Sequence, residues 1–371
     1  MARRSPRIPG PSGQSVSPPS SARAAHFDHG VAAPAGFAFD DMDRRIIACL
    51  RADGRASWTE IARRCGTSVA TVSRRGQRLL AGKTVQVAVV PHRTHPGRNS
   101  LFFLRLSCRS GAQPRVVAEL SKHPDIRFLA LVTGPYDIAA EVCADTSESL
   151  IRQLVTEFQE IDGVEWCETD LILHEYKVAQ DWTWQLLVGE TAAGAVHEPH
   201  TCSETDMDDL DRAIIEVLRA DGRAAFSVVA GQVGLDETTV RRRFEAMFTR
   251  GCVLVQTLTP ASALGFTSEV LLDISVEPPK LGHVSEQLAS FAGVRFVAAT
   301  LRGSSLLCEM IQPSQDALFS FLTETLASLD GVRGWQASME LLTIRRGFVE
   351  TPWWRRELAE HLGADISQRL P

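Results

Sequence analysis

Thr71, Arg74, Arg75 and Arg78 stand at i, i+3, i+4 and i+7, which places all four on one face if the segment is helical. No acidic residue falls between Val69 and Lys83. A guanidinium is the side chain best suited to bond a guanine edge through two hydrogen bonds, or to clamp a phosphate. With Ser68 at its head, this segment is a candidate for reading a nucleic-acid duplex. A second set, Thr239, Arg241, Arg242 and Arg243, lies among Asp236, Glu237 and Glu245, so its positive field is weaker. An arginine-rich helix face in isolation is usually just solvated. The weight given to this one comes from the frame around it.

A different chemistry is offered by Gly134-Pro135-Tyr136-Asp137. Glycine lets a backbone or ligand approach closely, and the Asp137 carboxylate can accept a charge-assisted hydrogen bond from an ammonium group. The same residues are also ordinary turn formers. The corresponding Gly303-Ser304-Ser305-Leu306 keeps the glycine but lacks the Tyr and Asp, which makes a second ligand site there doubtful. His197-x-x-His200-x-Cys202 has no fourth ligand at useful spacing and no repeat counterpart, and His92 and His95 read as surface residues. Nucleophile-elbow, phosphate-loop, dinucleotide and zinc-protease motifs are missing. We therefore expect no enzyme, no catalytic residue, no metal and no cofactor.

The elements that must position these residues come in two copies. Met42–Ser57 reads MDRRIIACLRADGRAS and Leu210–Ala225 reads LDRAIIEVLRADGRAA, with eleven of sixteen positions identical at an offset of 168. Each copy opens with a helix, for which Asp41 and Asp209 are placed as N-caps, and Asp-Gly ends it. Ser57-Trp58-Thr59-Glu60 reads as a capping box for the second helix. Ala62-x3-Gly66-x5-Val72 and Ala230-x3-Gly234-x5-Val240 then supply a small residue for close approach, a glycine for the turn and a β-branched packing residue. Third helices start at Ser68 and Asp236. The Gly76 inside the first of these costs about 1 kcal/mol relative to Ala and points to close packing. Val85–Val90 and Val253–Leu258 are β-rich and predict a wing for each module. A β-α-β-β-α-β order follows in both copies, which is the ferredoxin-like arrangement.

The resulting fold class is α+β: two copies of a winged helix-turn-helix plus a ferredoxin-like domain. The boundaries are a disordered arm over 1–39, the first helix-turn-helix over 40–92, its α/β domain over 98–180, a linker over 181–206, the second helix-turn-helix over 207–260, its α/β domain over 265–350 and a tail over 351–371. Trp182 and Trp184, and likewise Trp353 and Trp354, are expected to pack a terminal segment onto the preceding sheet domain.

The 371 residues, 44% hydrophobic and 23% charged, suffice for several packed domains. A net charge of −6 excludes a generic polyanion binder and confines any nucleic-acid contact to a local basic face. The eight cysteines are scattered without a C-x-x-C pair and read as buried thiols of a reducing compartment. With no run of 18 apolar residues and no apolar segment after the N-terminal arginines, the expected location is cytoplasmic, with no membrane contact.

Taken together, Leu50-Arg51-Ala52-Asp53-Gly54-Arg55-Ala56, the helix-turn-helix spacing and Gly134-Pro135-Tyr136-Asp137 resemble the Lrp/AsnC (feast/famine) regulators over nearly all of 40–180 and 207–350. The resemblance implies a DNA-binding helix-turn-helix, a ligand-sensing domain at Gly134, Tyr136 and Asp137 that takes an amino acid or similar small molecule, and assembly through the sheet faces. Fusion of two units implies an intramolecular pseudo-dimer, open to further homo-oligomerisation. A sensor module without DNA binding is one alternative on this scaffold, and the other is an enzyme, since siroheme decarboxylases resemble the same frame. That reading requires a tetrapyrrole pocket with placed His and Arg residues, and the arginine face of the first copy argues against it.

Overall fold

The computed structural model describes residues 39–91, 100–144, 148, 151–178, 207–303 and 305–362. The linker, residues 1–38 of the arm, Trp182, Trp184, His92, His95, the His197–Cys202 cluster and Ser304 lie outside them.

Each copy begins with three short helices: α1 (Asp41–Ala52), α2 (Trp58–Cys65) and α3 (Val69–Ala81) in the first. Strands β1 (Gln86–Pro91) and β2 (Ser100–Cys108), helix α4 (Gln113–Leu120), strands β3 (Ile126–Val132) and β4 (Ile138–Ala144), a π-helical turn at Arg152–Glu157 and the long strand β5 (Val164–Val178) complete that copy. The second copy repeats the order: helices α5 (Asp209–Ala220), α6 (Phe226–Val233) and α7 (Glu237–Thr249), strands β6 (Val253–Leu258) and β7 (Ser268–Val276), helix α8 (Leu281–Ser290), strands β8 (Val294–Thr300) and β9 (Ser305–Gln312), helix α9 (Gln315–Ser320) and the long strand β10 (Val332–Arg346). A short strand β11 (Val349–Glu350) and helix α10 (Trp354–Leu362) follow.

The helix starts follow from cap chemistry. The caps of α1 and α5 are Asp40 and Asp208, one residue earlier than the sequence reading, because the first Asp of each Asp-Asp pair is the one whose carboxylate reaches the N–H three residues on. Ser57, Ser68 and Asp236 cap their helices in the same way. Only half of the box expected at Ser57 forms. The Glu60 carboxylate turns instead to Arg63 and Arg64, whose hydrogen bonds hold it down at about 2. Gly66 and Gly234 end α2 and α6 in the left-handed region at φ 66° and 71°, which only glycine adopts without strain.

Within each copy the sheet runs β3-β4-β2-β5 or β8-β9-β7-β10. The long strands then join the two sheets. β5 pairs with β2 up to Ile172 and with β8 from Ile172 to Val178, while β10 pairs with β7 up to Met339 and with β3 from Glu340 to Arg346. Eight strands thus close on themselves, which removes the free edges. Phe103, Phe128, Tyr136, Leu271, Phe296 and Leu307 pack inside the closed sheet. The inner face of the first sheet is covered by the chain's own second half.

Arg105 and Asp273 occupy equivalent positions at the repeat offset, and they meet across this interior in an ion pair, with Arg105 only 2% exposed. An unfused homodimer would place two identical charges here. Fusion lets the position diverge into opposite ones.

The strands expected to act as wings serve a different purpose. β1 and β6 pair antiparallel with each other, from Gln86–Leu258 to Pro91–Val253, as a two-stranded ribbon between the two helical modules. Val85 and Val87 to Val90 are all buried: Val89 packs into the core of the second helical module, and Ala88 and Val90 pack with Leu258, Val349 and Trp353. Trp354 also departs from expectation: it is 1% exposed and packs into the helix-side core of the first copy rather than the second. Cys252 is disulfide-bonded, which corrects the reading of all eight cysteines as free thiols. The other described cysteines are free. No described helix is long and apolar enough to cross a membrane.

Candidate nucleic-acid interface

The sequence grouped Arg74 and Arg75 on one face; the structure gives them different work. Helix α3 buries Val72, Gly76 and Leu79 against α1 and α2. Arg75 flanks that buried side, and its Nη1 donates to Asp40 Oδ2 at 2.6 Å and to Asp43 Oδ1 at 3.0 Å. The Asp43 side chain is 3% exposed, and Arg78 Nη2 donates to its other oxygen at 2.8 Å. The paired carboxylates push the Arg75 guanidinium further toward its charged form. Arg74 projects from the opposite side, exposed, and makes no ion pair among the described residues.

The second copy repeats the Arg75 arrangement but not the Arg78 bond, since Ala246 stands at the matching position. Arg243 Nη1 donates to Asp208 Oδ2 at 2.9 Å and Asp211 Oδ1 at 2.8 Å. Arg242 is exposed, again with no ion pair among the described residues. Arg241 is partly neutralised: it bonds Glu237 at 2.9 Å and lies over the Phe226 ring. Thr71 and Thr239 are half-buried, and their hydroxyls bond the capping Ser68 and Asp236. Four residues proposed for base contact (Thr71, Arg75, Thr239 and Arg243) therefore have local structural duties. Arg74 and Arg242 remain the outward cations, with Arg78 59% exposed beside the first.

A reciprocal clasp sets the two modules against each other. Arg55 donates to the carbonyls of Gly222 and Ala224, and Arg223 donates to those of Gly54 and Ala56. Arg55 covers the Phe226 ring at 4.5 Å and Arg223 covers Trp58 at 4.3 Å, distances at which a cation is attracted to the ring face. Gly54 and Gly222 lie against the ribbon so closely that a Cβ would come within 2.8 Å of it. Gly76 has a similar reason: its Cβ would meet Trp58 at 2.4 Å. At the matching position the second copy has Phe244, its ring tilted by 48° against Phe226 at 5.4 Å, so a large-small pair has become a pair of equals. Sequence reasoning quoted both Asp-Gly-Arg segments but assigned their arginines no role. Their duplication was the available signal.

At the candidate ligand site, Asp137 is already engaged. Its carboxylate accepts from the Cys108 N–H at 2.7 Å and from Gln113 Nε2 at 3.1 Å, tying β2 to α4. Gly134 is at φ 109°. Tyr136 is 4% exposed and points into the closed sheet, where its hydroxyl lies near Ser338 and Arg105 but in hydrogen-bond geometry with neither.

The AsnC-type helix-turn-helix domain profile matches residues 39–80 and 207–247, and the Lrp/AsnC ligand binding domain profile matches 101–181. An HTH-type transcriptional regulator of Pyrococcus horikoshii is 31% identical over 134 residues, which is 36% of this chain and 85% of the relative. The chain belongs to the Lrp/AsnC family. A second relative, the HTH-type transcriptional regulator FL11 of Pyrococcus furiosus, is 30% identical over 37% of this chain and 91% of its own length. Each of these Lrp/AsnC relatives spans about one repeat. The whole two-repeat arrangement is matched by the crystal structure of the siroheme decarboxylase NirDL, with a TM-score of 0.54, 12% identity, and coverage of 87% of this chain and 99% of that one. At that identity the likeness is one of fold. Residues 268–346 carry the same order of strands and helices as the Lrp/AsnC domain at 101–181.

Proposed function

We propose that this protein is a transcriptional regulator that binds double-stranded DNA sequence-specifically through α3 and α7, and that it responds to an amino acid or related small molecule rather than catalysing a reaction. The supporting observation is the division of labour repeated in both copies. In each, one arginine is anchored to the first helix, and its neighbour, Arg74 or Arg242, projects from an exposed face with no ion pair among the described residues. The ribbon and the clasp hold the two faces in a fixed relation, so one chain spans two half-sites. The two helices differ in sequence and in nearby acid, so the half-sites are unequal. Selection from a randomised duplex library tests this. An asymmetric pair of half-sites is the expected outcome, and a perfect palindrome contradicts it.

Effector binding is assigned to the first copy, near Gly134 and Tyr136. The Asp137 oxygens are taken up by β2 and α4, so Asp137 positions the turn, and the Tyr136 hydroxyl is the group left to meet a ligand. Calorimetry with an amino-acid panel on wild type and Tyr136→Phe checks this assignment, and equal affinities remove Tyr136 from the site. Further assembly of chains is part of the same proposal and is read by light scattering.

A further inference from the structure

A cavity of about 180 Å³ opens where α1, the segment Thr259–Thr267, the second sheet, β10 and α10 meet. At about 30 Å³ per water that is the space of roughly six waters, or of one small organic molecule. Its floor is charged. Glu269, Glu309 and Glu340 each bring a carboxylate oxygen within 4.8 Å of the others. Arg295 Nη2 donates to Glu269 at 2.8 Å and also to Glu309, while Arg346 donates to Glu309 at 2.6 Å and to Glu340 at 3.0 Å. Counting Glu309, which stands against the lining carboxylates without lining the cavity itself, three carboxylates against two guanidiniums leave one negative charge over among the described residues, and Arg51 and Glu357, which line the cavity, cancel. The Glu340 side chain is 1% exposed. Burial and the charge of Glu309 push its carboxyl well above the usual range.

A separate observation points to a ligand. Thr259 lines the same cavity, is 8% exposed, and its hydroxyl has no hydrogen-bond partner. Leu258, Phe266, Leu342 and Trp353 supply apolar wall to the same cavity. An ammonium group has three donors, and Glu269, Glu340 and Thr259 offer three acceptors beside one uncompensated charge. A divalent ion is a poorer match, because the two guanidiniums interleave the carboxylates and the excess is a single charge.

We propose that this cavity binds a small organic cation, a primary ammonium on a short alkyl body, held by Glu269, Glu340 and Thr259. Such an occupant touches both the first DNA-reading module, through Arg51 of α1, and the second sheet. It therefore couples the two and shifts DNA affinity, a consequence that rests on the regulator reading above.

The test is calorimetry on the full chain, titrated with butylammonium chloride and, at equal concentration, with butan-1-ol, sodium butyrate and potassium chloride. The expected result is saturable binding of one butylammonium per chain and of none of the others. Glu340→Gln should lower affinity at least tenfold and Thr259→Val several-fold. Butan-1-ol binding equally well would show an apolar hole only, and potassium binding alone would show an inorganic cation site. Either result overturns the proposal, as does the absence of butylammonium binding or unchanged affinity in both variants. Fluorescence anisotropy with duplex DNA at constant ionic strength reads the coupling separately. A butylammonium-dependent change in DNA affinity that Glu340→Gln removes supports it, and saturable binding with no such change overturns the coupling. A chain that binds butylammonium but no DNA contradicts the regulator reading and leaves the cation site standing.

Discussion

Arg75 is fastened to Asp43: its Nη1 donates to Oδ1 at 3.0 Å, and the carboxylate that it meets is 3% exposed at the start of α1. Arg243 repeats this on Asp211. One of the arginines that spacing groups for DNA contact is thus a strut between the first and third helices. Removing it leaves a buried carboxylate short of a partner, which costs about 1–3 kcal/mol. Arg75→Ala and Arg243→Ala should each lower the stability read by urea unfolding by that amount. Arg74→Ala, on an exposed site, should stay within about 0.5 kcal/mol of wild type. Equal losses at Arg74 and Arg75 would remove the distinction.

The Arg55 and Arg223 clasp concerns geometry more than local stability. Each guanidinium bonds two carbonyls of the opposite module. Arg55→Ala with Arg223→Ala should leave binding to a single half-site unchanged and weaken binding to the paired site at least tenfold, or about 1.4 kcal/mol. Parallel anisotropy titrations on the two duplexes check this. Equal losses on both would place the arginines at the DNA instead.

Asp273→Arg sets two buried guanidiniums against each other where Arg105 now meets a carboxylate. Breaking a buried pair costs about 3–5 kcal/mol. The exchanged pair, Arg105→Asp with Asp273→Arg, should recover most of that in urea unfolding. An exchange variant as unstable as the single one would show that the pairing is fixed by its surroundings and not by charge.

Glu309 and Glu340 give stability opposite dependences on pH. Burial raises Glu309, but Arg295 and Arg346 outweigh it and bring it from an ordinary 4.5 down to about 2. Its contribution is present above 4.5 and is lost as pH falls toward 2. Glu340 is raised, so its contribution is present below 4.5 and is lost as pH rises through its folded value. Glu340→Gln should therefore melt higher than wild type at neutral pH. Glu309→Gln should melt lower there, and that deficit should shrink on acidification below 4.5. Melting curves from pH 3 to 8 check both signs.

Much of this was legible in the sequence because the duplication repeats its local signals. Asp-Gly stops, capping residues and the Ala-Gly-Val spacing each occur twice, and the capping residues place the starts of α1, α2, α3, α5 and α7 to within a residue. The ferredoxin-like order followed from alternation alone. What could not be read was how the copies meet. Nothing local in Val85–Val90 says that its partner strand is Val253–Leu258 and not a hairpin of its own. Helical periodicity places Arg75 with Arg74, but the acids that claim Arg75 come from another helix. The acids that surround Arg295 likewise come from three different strands, at Glu269, Glu309 and Glu340.

The most direct measurement is the salt dependence of binding to a selected duplex for wild type, Arg74→Ala and Arg242→Ala. Each substitution is expected to weaken binding by about 1–3 kcal/mol where the arginine meets a base, or to lower the salt slope by about one where it meets a phosphate, with melting temperature unchanged. Wild-type affinity and slope in both variants, or no salt-dependent DNA binding by the intact chain, would contradict the account.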